Sequence, residues 1–292
     1  MAKNQPAAKG PARTRHRRAK RSSRAVAFNS TPSSYHQKIS STLGTDKCPK
    51  QFSCPVLDAV LARELQNSQF TMVPQLVETL FPEKTIPVAI REELPTILNQ
   101  LYNNGRWENF PTDLKSDGAE QRLAGFFNRI MTAMTSLPGC PNTYHARVWT
   151  GDYCNLPLKG SGPKHKPDLI LVDRIKRAKT WNDVNALAEL TTSLSFTQII
   201  RKTLVSKSYL IFKAQEDRRY VITVAICGTK FYLSLFDRAG VCHSQGLDIN
   251  DDAEKFLLVL VGLSFTSRTW LGYDPTIISH LNGAREVLVT KT

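Results

Sequence analysis

Apolar residues recur every three or four positions in the part of the chain after residue 50, and this period predicts helices. Helices are expected over residues 55–65, 91–102 and 118–134. In the third of them, one apolar stripe is formed by Leu123, Phe126, Phe127, Ile130 and Met134. Asp117 precedes this helix and Glu120 follows three residues later, so the pair predicts a capping box at its start.

From about residue 144 the pattern changes to short apolar runs, which are typical of strands. Residues 169–172 and 186–191 predict two strands, the first of them buried on both faces. Residues 220–227 and 230–236 flank a two-residue Gly-Thr turn and predict a hairpin.

Two further helices complete the pattern. One is expected from Ser195 to about Gln215, and residues 250–254 are expected to cap the other. The first carries an apolar face formed by Phe196, Ile199, Ile200, Leu204 and Ile211. The order of helix, strands, helix, hairpin and helix predicts an α/β domain over residues 113–292, preceded by a helical lead-in at 46–112.

Residues 1–45 differ in composition, being rich in Ala, Pro, Ser, Lys and Arg and poor in large aliphatic residues. Such a segment buries too little apolar surface to offset the entropy of ordering, so we expect a disordered basic tail. Residues 1–50 contain 12 of the 39 lysines and arginines and one acidic residue, which leaves 27 basic and 24 acidic residues for 51–292. The folded part is nearly neutral, so its net charge does not indicate nucleic-acid binding.

The densest basic run of the tail lies at residues 13–24. Its basic residues are Arg13, Arg15, Arg17, Arg18, Lys20, Arg21 and Arg24. The run favours a nuclear-import signal or an arm that contacts phosphates. A mitochondrial transit peptide is a weaker alternative because no apolar face opposes the arginines, and a solvated tail without a targeting role stays open.

The sequence has no signal-peptide pattern and no apolar run of membrane-spanning length. The six cysteines have neither zinc-site nor disulfide-framework spacing. We therefore expect an intracellular protein without membrane contact, in the nucleus rather than the cytoplasm, with the mitochondrion as the weaker alternative.

The candidate chemistry lies on the two predicted central strands. Asp168 precedes the first, and Glu189 and Thr191 share one face of the second. If the strands are neighbours, the two carboxylates converge, and their oxygens suit Mg²⁺, which activates water and stabilises phosphoryl transfer. Glu120, on the preceding helix, could add a third carboxylate.

Each carboxylate also has a structural explanation. Asp168 could shape the start of a strand, and the capping box accounts for Glu120. Glu189 lies among Ala and Leu residues, where a buried carboxylate is costly unless it is paired or binds a metal. Arg201 and Arg218 are candidate partners for it.

This arrangement resembles the PD-(D/E)XK nuclease superfamily, in which Pro-Asp on one strand precedes Glu-x-Lys on the next. The resemblance implies a mixed sheet flanked by helices, with Asp168 and Glu189 as metal ligands. The catalytic candidates are Asp168, Glu189, Thr191 and Glu120. Thr191 stands at the lysine position, which argues for weakened or absent nuclease activity, although Lys202 or Lys207 could replace the lysine.

A second resemblance rests on five motifs. In chain order they are KPDLIL at 166–171, WNDV at 181–184 with Glu189, QEDRRYV at 215–221, FDRAG at 236–240 and LGYDP at 271–275. Together they are similar to the amino-terminal half of the fungal-type protein kinase family, over roughly residues 140–280. The resemblance implies a fungal source and a block that precedes a divergent kinase core.

The motifs of a kinase core are missing from this sequence. It contains no glycine-rich loop, HRD-type catalytic loop or DFG motif, and VAIR at 88–91 has arginine in place of the lysine. We therefore expect a regulatory or interaction module without kinase activity, truncated before the kinase core and acting through protein partners. The alternatives are a Mg²⁺-dependent nuclease and a nuclear protein that binds nucleic acid through its tail. Of these hypotheses, only the nuclease requires a cofactor, namely Mg²⁺.

Overall fold

The computed structural model describes residues 53–138, 140, 147–160, 164–174, 180–279 and 285–288. The α-helices are α1 (Cys54–Glu64), α2 (Leu76–Leu80), α3 (Val88–Glu92), α4 (Leu94–Leu101), α5 (Ala119–Thr135), α6 (Gln198–Ala214) and α7 (Ala253–Phe265). The strands are β1 (Gln69–Val73), β2 (Tyr102–Asn103), β3 (Arg106–Trp107), β4 (Arg147–Thr150), β5 (Leu169–Asp173), β6 (Ala186–Thr191), β7 (Tyr220–Cys227), β8 (Lys230–Asp237), β9 (Val241–Ser244), β10 (Leu247–Asp248), β11 (Ile277–Ser279) and β12 (Arg285–Val287).

Eight of the described strands form one mixed sheet, in the order β1-β9-β8-β7-β6-β5-β4, with β10 paired beside this path to β8. The β6–β7 and β1–β9 pairs are parallel, and the other pairs of the sheet are antiparallel. Helix α6 connects β6 to β7, as a parallel pair requires. The predicted α/β class and mixed sheet flanked by helices are confirmed.

The sheet separates two hydrophobic layers. Leu169 and Leu171 of β5 belong to the cluster that contains the apolar side chains of α4, α5 and α7. Ile170 and Val172 belong instead to the cluster that contains those of α1 and α6. Because neighbouring side chains of a strand point to opposite faces, β5 is buried on both faces, as its apolar run predicts.

The segment predicted to be a helical lead-in also contributes to the main sheet, since β1 pairs with β9. The single helix predicted at 91–102 is wrong. Two helices, α3 and α4, meet at Glu93, and Pro95 lies in the first turn of α4. Proline has no N–H to donate to the preceding turn, so it divides the helical stretch in two.

The capping box predicted from Asp117 and Glu120 is wrong. Helix α5 begins at Ala119, and its cap residue Gly118 has a φ of 77°, with no side chain capping the helix. Glycine adopts this left-handed conformation without steric cost, so the chain turns into the helix without a side-chain cap. The predicted apolar stripe of α5 is confirmed, because all five of its residues are buried.

Helix α6 begins later than predicted. Its N-cap is Thr197, whose hydroxyl accepts the N–H of Ile200 at 3.5 Å, and the first helical residue is Gln198. Ile199 is 79% exposed, so its predicted place on the buried face is wrong. Adjacent positions on a helix differ by about 100°, and it is Ile200 that faces the sheet.

The hairpin of β7 and β8 around the Gly-Thr turn is confirmed. None of the helices in the described ranges is long and apolar enough to cross a membrane. The basic tail at 1–45, including the run at 13–24, lies outside the described residues, so its disorder stays a prediction.

Candidate functional site: a buried carboxylate cluster

Asp168 and Glu189 meet at one end of the β5–β6 pair. The antiparallel register places Leu169 opposite Ala188, so the residue that precedes β5 lies beside the later part of β6. The Asp168 N–H donates to Glu189 Oε1 at 3.3 Å, and the Leu190 N–H donates to Asp168 Oδ2 at 2.8 Å. The structure therefore brings together the two carboxylates that the sequence analysis selected.

Lys207 supplies the counter-charge to this pair. Helix α6 covers the face of β6 that carries Glu189, and the Lys207 ammonium forms an ion pair with Glu189 Oε2. Only 2% of Glu189 and 4% of Lys207 is exposed. We call Asp168, Glu189 and Lys207 the carboxylate cluster.

The arginine partner expected for Glu189 is wrong. Arg218 donates to a backbone carbonyl at the other end of β6, and the Arg201 guanidinium lies over the ring of Phe196, 5.9 Å from its centroid. Lys207 makes the contact instead, because it lies on the helix that packs over β6 and its side chain is long enough to reach Glu189. The sequence signal for it is Ser-Lys-Ser at 206–208, a polar run inside a largely apolar helix.

Burial controls the protonation of both carboxylates. It raises the pKa of Glu189 to about 7, against the opposing attraction of the Lys207 ammonium. Burial also raises the pKa of Asp168, an effect opposed by Lys207 and by the Leu190 N–H and reinforced by the nearby Glu120. Raised carboxylate pKa values occur both in functional sites and in structural ion pairs. The contacts of Asp168 and Glu189 therefore decide which kind of site this is.

The donor set does not suit a resident Mg²⁺. Carboxylate ligands of Mg²⁺ must direct free lone pairs at the ion, yet the Glu189 oxygens accept hydrogen bonds from Asp168 and Lys207. Within the described ranges, no three or more His, Cys, Asp or Glu side chains are grouped so that they could hold a metal ion. Glu120 influences Asp168 electrostatically but does not complete a ligand set.

The other two residues considered at the lysine position have different roles. Thr191 Oγ1 accepts the N–H of Ser193 at 3.2 Å, so this side chain shapes the turn that follows β6. Lys202 pairs with Asp58 of α1 at 3.2 Å. Lys207 alone of these three residues contacts the carboxylates.

A second polar cluster, buried except for Arg268, lies at the opposite end of β6. Asn185 precedes β6, and its carbonyl accepts from Arg218 Nη2 at 2.8 Å, while its Oδ1 accepts from the Tyr273 hydroxyl at 3.0 Å. The ring of Tyr273 lies against two guanidinium groups, with the central carbons of Arg218 and Arg268 4.2 and 3.7 Å from its centroid. We call these four residues the Asn185 cluster.

Three of the motifs singled out in the sequence contact one another around this cluster. The Gln215 side-chain amide donates to the carbonyls of Trp181 and Val184 at 2.9 and 2.8 Å. The Arg219 N–H donates to the Gly272 carbonyl at 2.7 Å. The WNDV, QEDRRYV and LGYDP motifs thus satisfy one another's buried polar groups, which is a structural role.

The Asn185 cluster was missed by sequence reasoning. Arg218 and Asn185, which form one of its hydrogen bonds, are 33 residues apart in the sequence. Tyr273 and Asn185, which form another, are 88 residues apart. No local pattern reports a contact over such separations. The one sequence feature that points to this cluster is that polar motifs lie directly before predicted strands.

The family model described as fungal protein kinase matches residues 166–292, a little under half of the chain. The match begins at the first residue of the KPDLIL motif and includes both polar clusters and strands β5 to β9. No curated protein matches the chain closely enough to count as a relative. Over residues 166–292, this chain is therefore similar to the fungal protein kinase family.

Proposed function

We propose that this protein is a non-catalytic regulatory or interaction module related to the fungal protein kinases, built on a PD-(D/E)XK-like core. The order α5-β4-β5-β6-α6-β7 provides the helix, strand and helix arrangement that the nuclease resemblance implies. The family match supports the relation to the kinases. The lack of kinase motifs supports a role other than phosphoryl transfer.

One observation carries the non-catalytic part of the proposal, namely the buried ion pair of Lys207 with Glu189. A nuclease-like site has to present carboxylate oxygens to a metal ion and a substrate phosphate. Here the oxygens of Glu189 are used inside the protein, and the residue is almost completely buried. The cluster therefore joins β6 to α6 inside the protein rather than presenting an open site.

A cleavage assay tests this part directly. The purified protein is incubated with double-stranded DNA, single-stranded DNA and RNA, each with Mg²⁺ or Mn²⁺, and we expect no cleavage above a buffer control. Cleavage that disappears in Asp168→Asn and in Glu189→Gln, while both variants keep the wild-type circular dichroism spectrum, would overturn the non-catalytic proposal.

A Mg²⁺-dependent nuclease is the second candidate, and one observation favours it. A lysine does reach the carboxylate pair, although it comes from α6 rather than from the position of Thr191. If the cluster opens on binding nucleic acid, Lys207 stands within reach of the residues that would need it. Under this candidate, Lys207→Met would abolish cleavage, whereas Lys202→Met would leave it intact.

The interaction part of the proposal is a protein partner, and the family match makes a kinase catalytic domain of the same family the first candidate to test. A size-exclusion experiment with a separately purified family kinase domain tests it, and we expect co-elution as a complex and a change in kinase activity. Separate elution together with unchanged kinase activity at micromolar concentrations would rule out this partner.

The tail supports a nuclear location, because the run at 13–24 has the density of basic residues that import signals use. A fluorescent fusion is expected to accumulate in nuclei and to lose that preference when the run's basic residues are replaced by alanine. A nucleic-acid-binding role of the tail predicts that deleting residues 1–34 removes DNA affinity and that binding falls steeply with salt.

A further inference from the structure

Helix α1 contacts the helix that carries Lys207 through a charged residue. Asp58 Oδ1 accepts from the Ser206 hydroxyl at 2.5 Å, and Asp58 Oδ2 pairs with Lys202 Nζ at 3.2 Å. Leu57 and Leu61 of α1 are buried in the same hydrophobic cluster as the inner face of α6. Helix α1 thus packs on α6 by two leucines and one carboxylate.

The polar run of α6 is enclosed between α1 and the sheet. Ser206, Lys207 and Ser208 are all buried, although serine and lysine in a helix are normally solvated. Ser206 bonds to Asp58 on one side, and Lys207 pairs with Glu189 on the other. Ser206, the neighbour of Lys207 in the chain, therefore ties α1 to the turn of α6 that carries the buried ammonium.

His165 links the same two regions. This residue precedes Asp168, and its Nε2 is buried without a hydrogen-bond partner in the described structure. Its pKa is lowered, first by burial and then by Lys207, while Asp58 acts in the opposite direction. The charges of Asp58 on α1 and of Lys207 in the carboxylate cluster thus both act on His165.

The rest of α1 is weakly anchored. Its buried residues are Leu57 and Leu61, whereas Val56 is 47% exposed and no side chain caps the helix. A short element with few buried apolar contacts opens locally at a lower free-energy cost than the core of the same protein.

We propose that α1 is a lid over the carboxylate cluster, held closed by Asp58, and that its release exposes Lys207 and the buried carboxylates to solvent. Opening breaks the contacts of Asp58 with Ser206 and Lys202 while the sheet stays folded. This inference rests on the cluster described under the proposed function. The experiment that tests it measures the solvent exposure of the Lys207 amine and does not depend on any enzymatic activity.

Chemical labelling of lysines measures this exposure. The full-length protein is treated with an N-hydroxysuccinimide acetate, and the acetylation rate of each lysine is followed by peptide mass spectrometry. In the wild type, Lys202 reacts as a half-exposed lysine and Lys207 is protected. Asp58→Ala is expected to raise the Lys207 rate by roughly tenfold or more, which corresponds to losing a hydrogen bond to a charged group. The matched control is Glu64→Ala, which removes an exposed acid from the same helix and should leave the rate unchanged.

Hydrogen exchange on the same samples shows whether the opening is local. Support requires faster exchange in α1 without a change in α5 and α7. The lid is overturned if Lys207 already reacts like Lys202 in the wild type. It is also overturned if α1 exchange does not change, or if all elements exchange faster together. Leu61→Ala provides a second way to loosen α1, and an unchanged Lys207 rate in that variant despite faster α1 exchange would be equally decisive.

The two proposals fail separately. Nuclease activity of the wild type would overturn the non-catalytic function and leave the lid intact. A Lys207 that is freely labelled in the wild type would overturn the lid, whatever the cleavage assay shows.

Discussion

The two buried polar clusters lie at opposite ends of β6, and they solve the same problem with different chemistry. The carboxylate cluster compensates Glu189 with the Lys207 ammonium and a backbone N–H. The Asn185 cluster compensates the Arg218 guanidinium with carbonyl oxygens and the face of Tyr273. The charge balance of the carboxylate cluster depends on the protonation of Glu189, whereas the Asn185 cluster contains no carboxylate.

Because of this difference, we expect the two clusters to respond differently to mutation and to pH. The Asn185 cluster joins motifs that are far apart in the sequence, and its removal should affect the whole fold. The carboxylate cluster contains one ion pair, and the helix that carries its lysine contacts the weakly anchored α1, so the cluster should respond to pH and to local opening. Variants of four residues, Arg218, Lys207, Glu189 and Thr191, test this difference.

The largest effect is expected for Arg218→Ala. The change leaves a cavity and strips the buried Asn185 carbonyl of its donor, which together should lower the free energy of unfolding by about 3–5 kcal/mol. Urea unfolding measures it. Arg219→Ala is the matched control, since this neighbour is exposed and its bond to Gly272 uses the backbone; it should cost within about 0.5 kcal/mol. Equal costs for the two variants would contradict a structural role of the cluster.

A somewhat smaller loss is expected for Lys207→Met at pH 8. The change leaves the Glu189 carboxylate buried without its counter-ion, which should cost about 3 kcal/mol. Replacing both residues, as Lys207→Met with Glu189→Leu, should recover most of the loss because no buried charge remains. Lys202→Met, which breaks a partly exposed pair, should cost at most about 1 kcal/mol. If the double variant is no more stable than Lys207→Met, the ion pair is not the reason for the loss.

The pH dependence of stability should separate the two clusters. The pKa of Glu189 is raised in the folded protein to about 7, above its usual value of 4.5, so the folded state binds the proton more tightly. The stability from this group is fully present below pH 4.5 and is lost as the pH rises through 7, in all by roughly 3 kcal/mol. Wild type should therefore lose stability relative to Glu189→Gln across this range. If the free energies of unfolding of wild type and Glu189→Gln change equally between pH 4.5 and 7, the pKa of Glu189 is not raised in the folded protein.

The smallest effect is expected for Thr191→Val. Only the hydrogen bond from Ser193 is lost, at a half-buried position, so the cost should be about 0.5–1 kcal/mol by thermal or urea unfolding. A loss as large as that of Lys207→Met would mean that Thr191 belongs to the carboxylate cluster after all.

Much of the fold could be predicted from local patterns. The strands at 169–172 and 186–191, the hairpin and the stripe of α5 follow from periodicity, because side-chain spacing depends on the element alone. Helix starts were less predictable. Gly118 replaced the predicted cap of α5, and Thr197 rather than Ser195 begins α6, since several residues in a row are capable of capping and tertiary contacts choose among them.

The candidate site was only half predictable. The approach of Asp168 to Glu189 follows from strand pairing, which short-range patterns suggest. The choice of Lys207 over Arg201, Arg218 and Lys202 depends on where α6 packs over the sheet, and four basic side chains on one stretch of chain look alike until that packing is known.

By itself, the sequence determined the α/β class, the positions of the central strands, the two carboxylates and the resemblance to the fungal protein kinases. The tertiary structure decided that Glu189 is paired with Lys207 inside the protein, that α1 packs on the helix that carries Lys207, and that three of the sequence motifs contact one another. The physical reason is the range of the interactions. Periodicity and turn preference act over a few residues, whereas the charge and hydrogen-bond partners of a buried group come from whichever distant element folds against it.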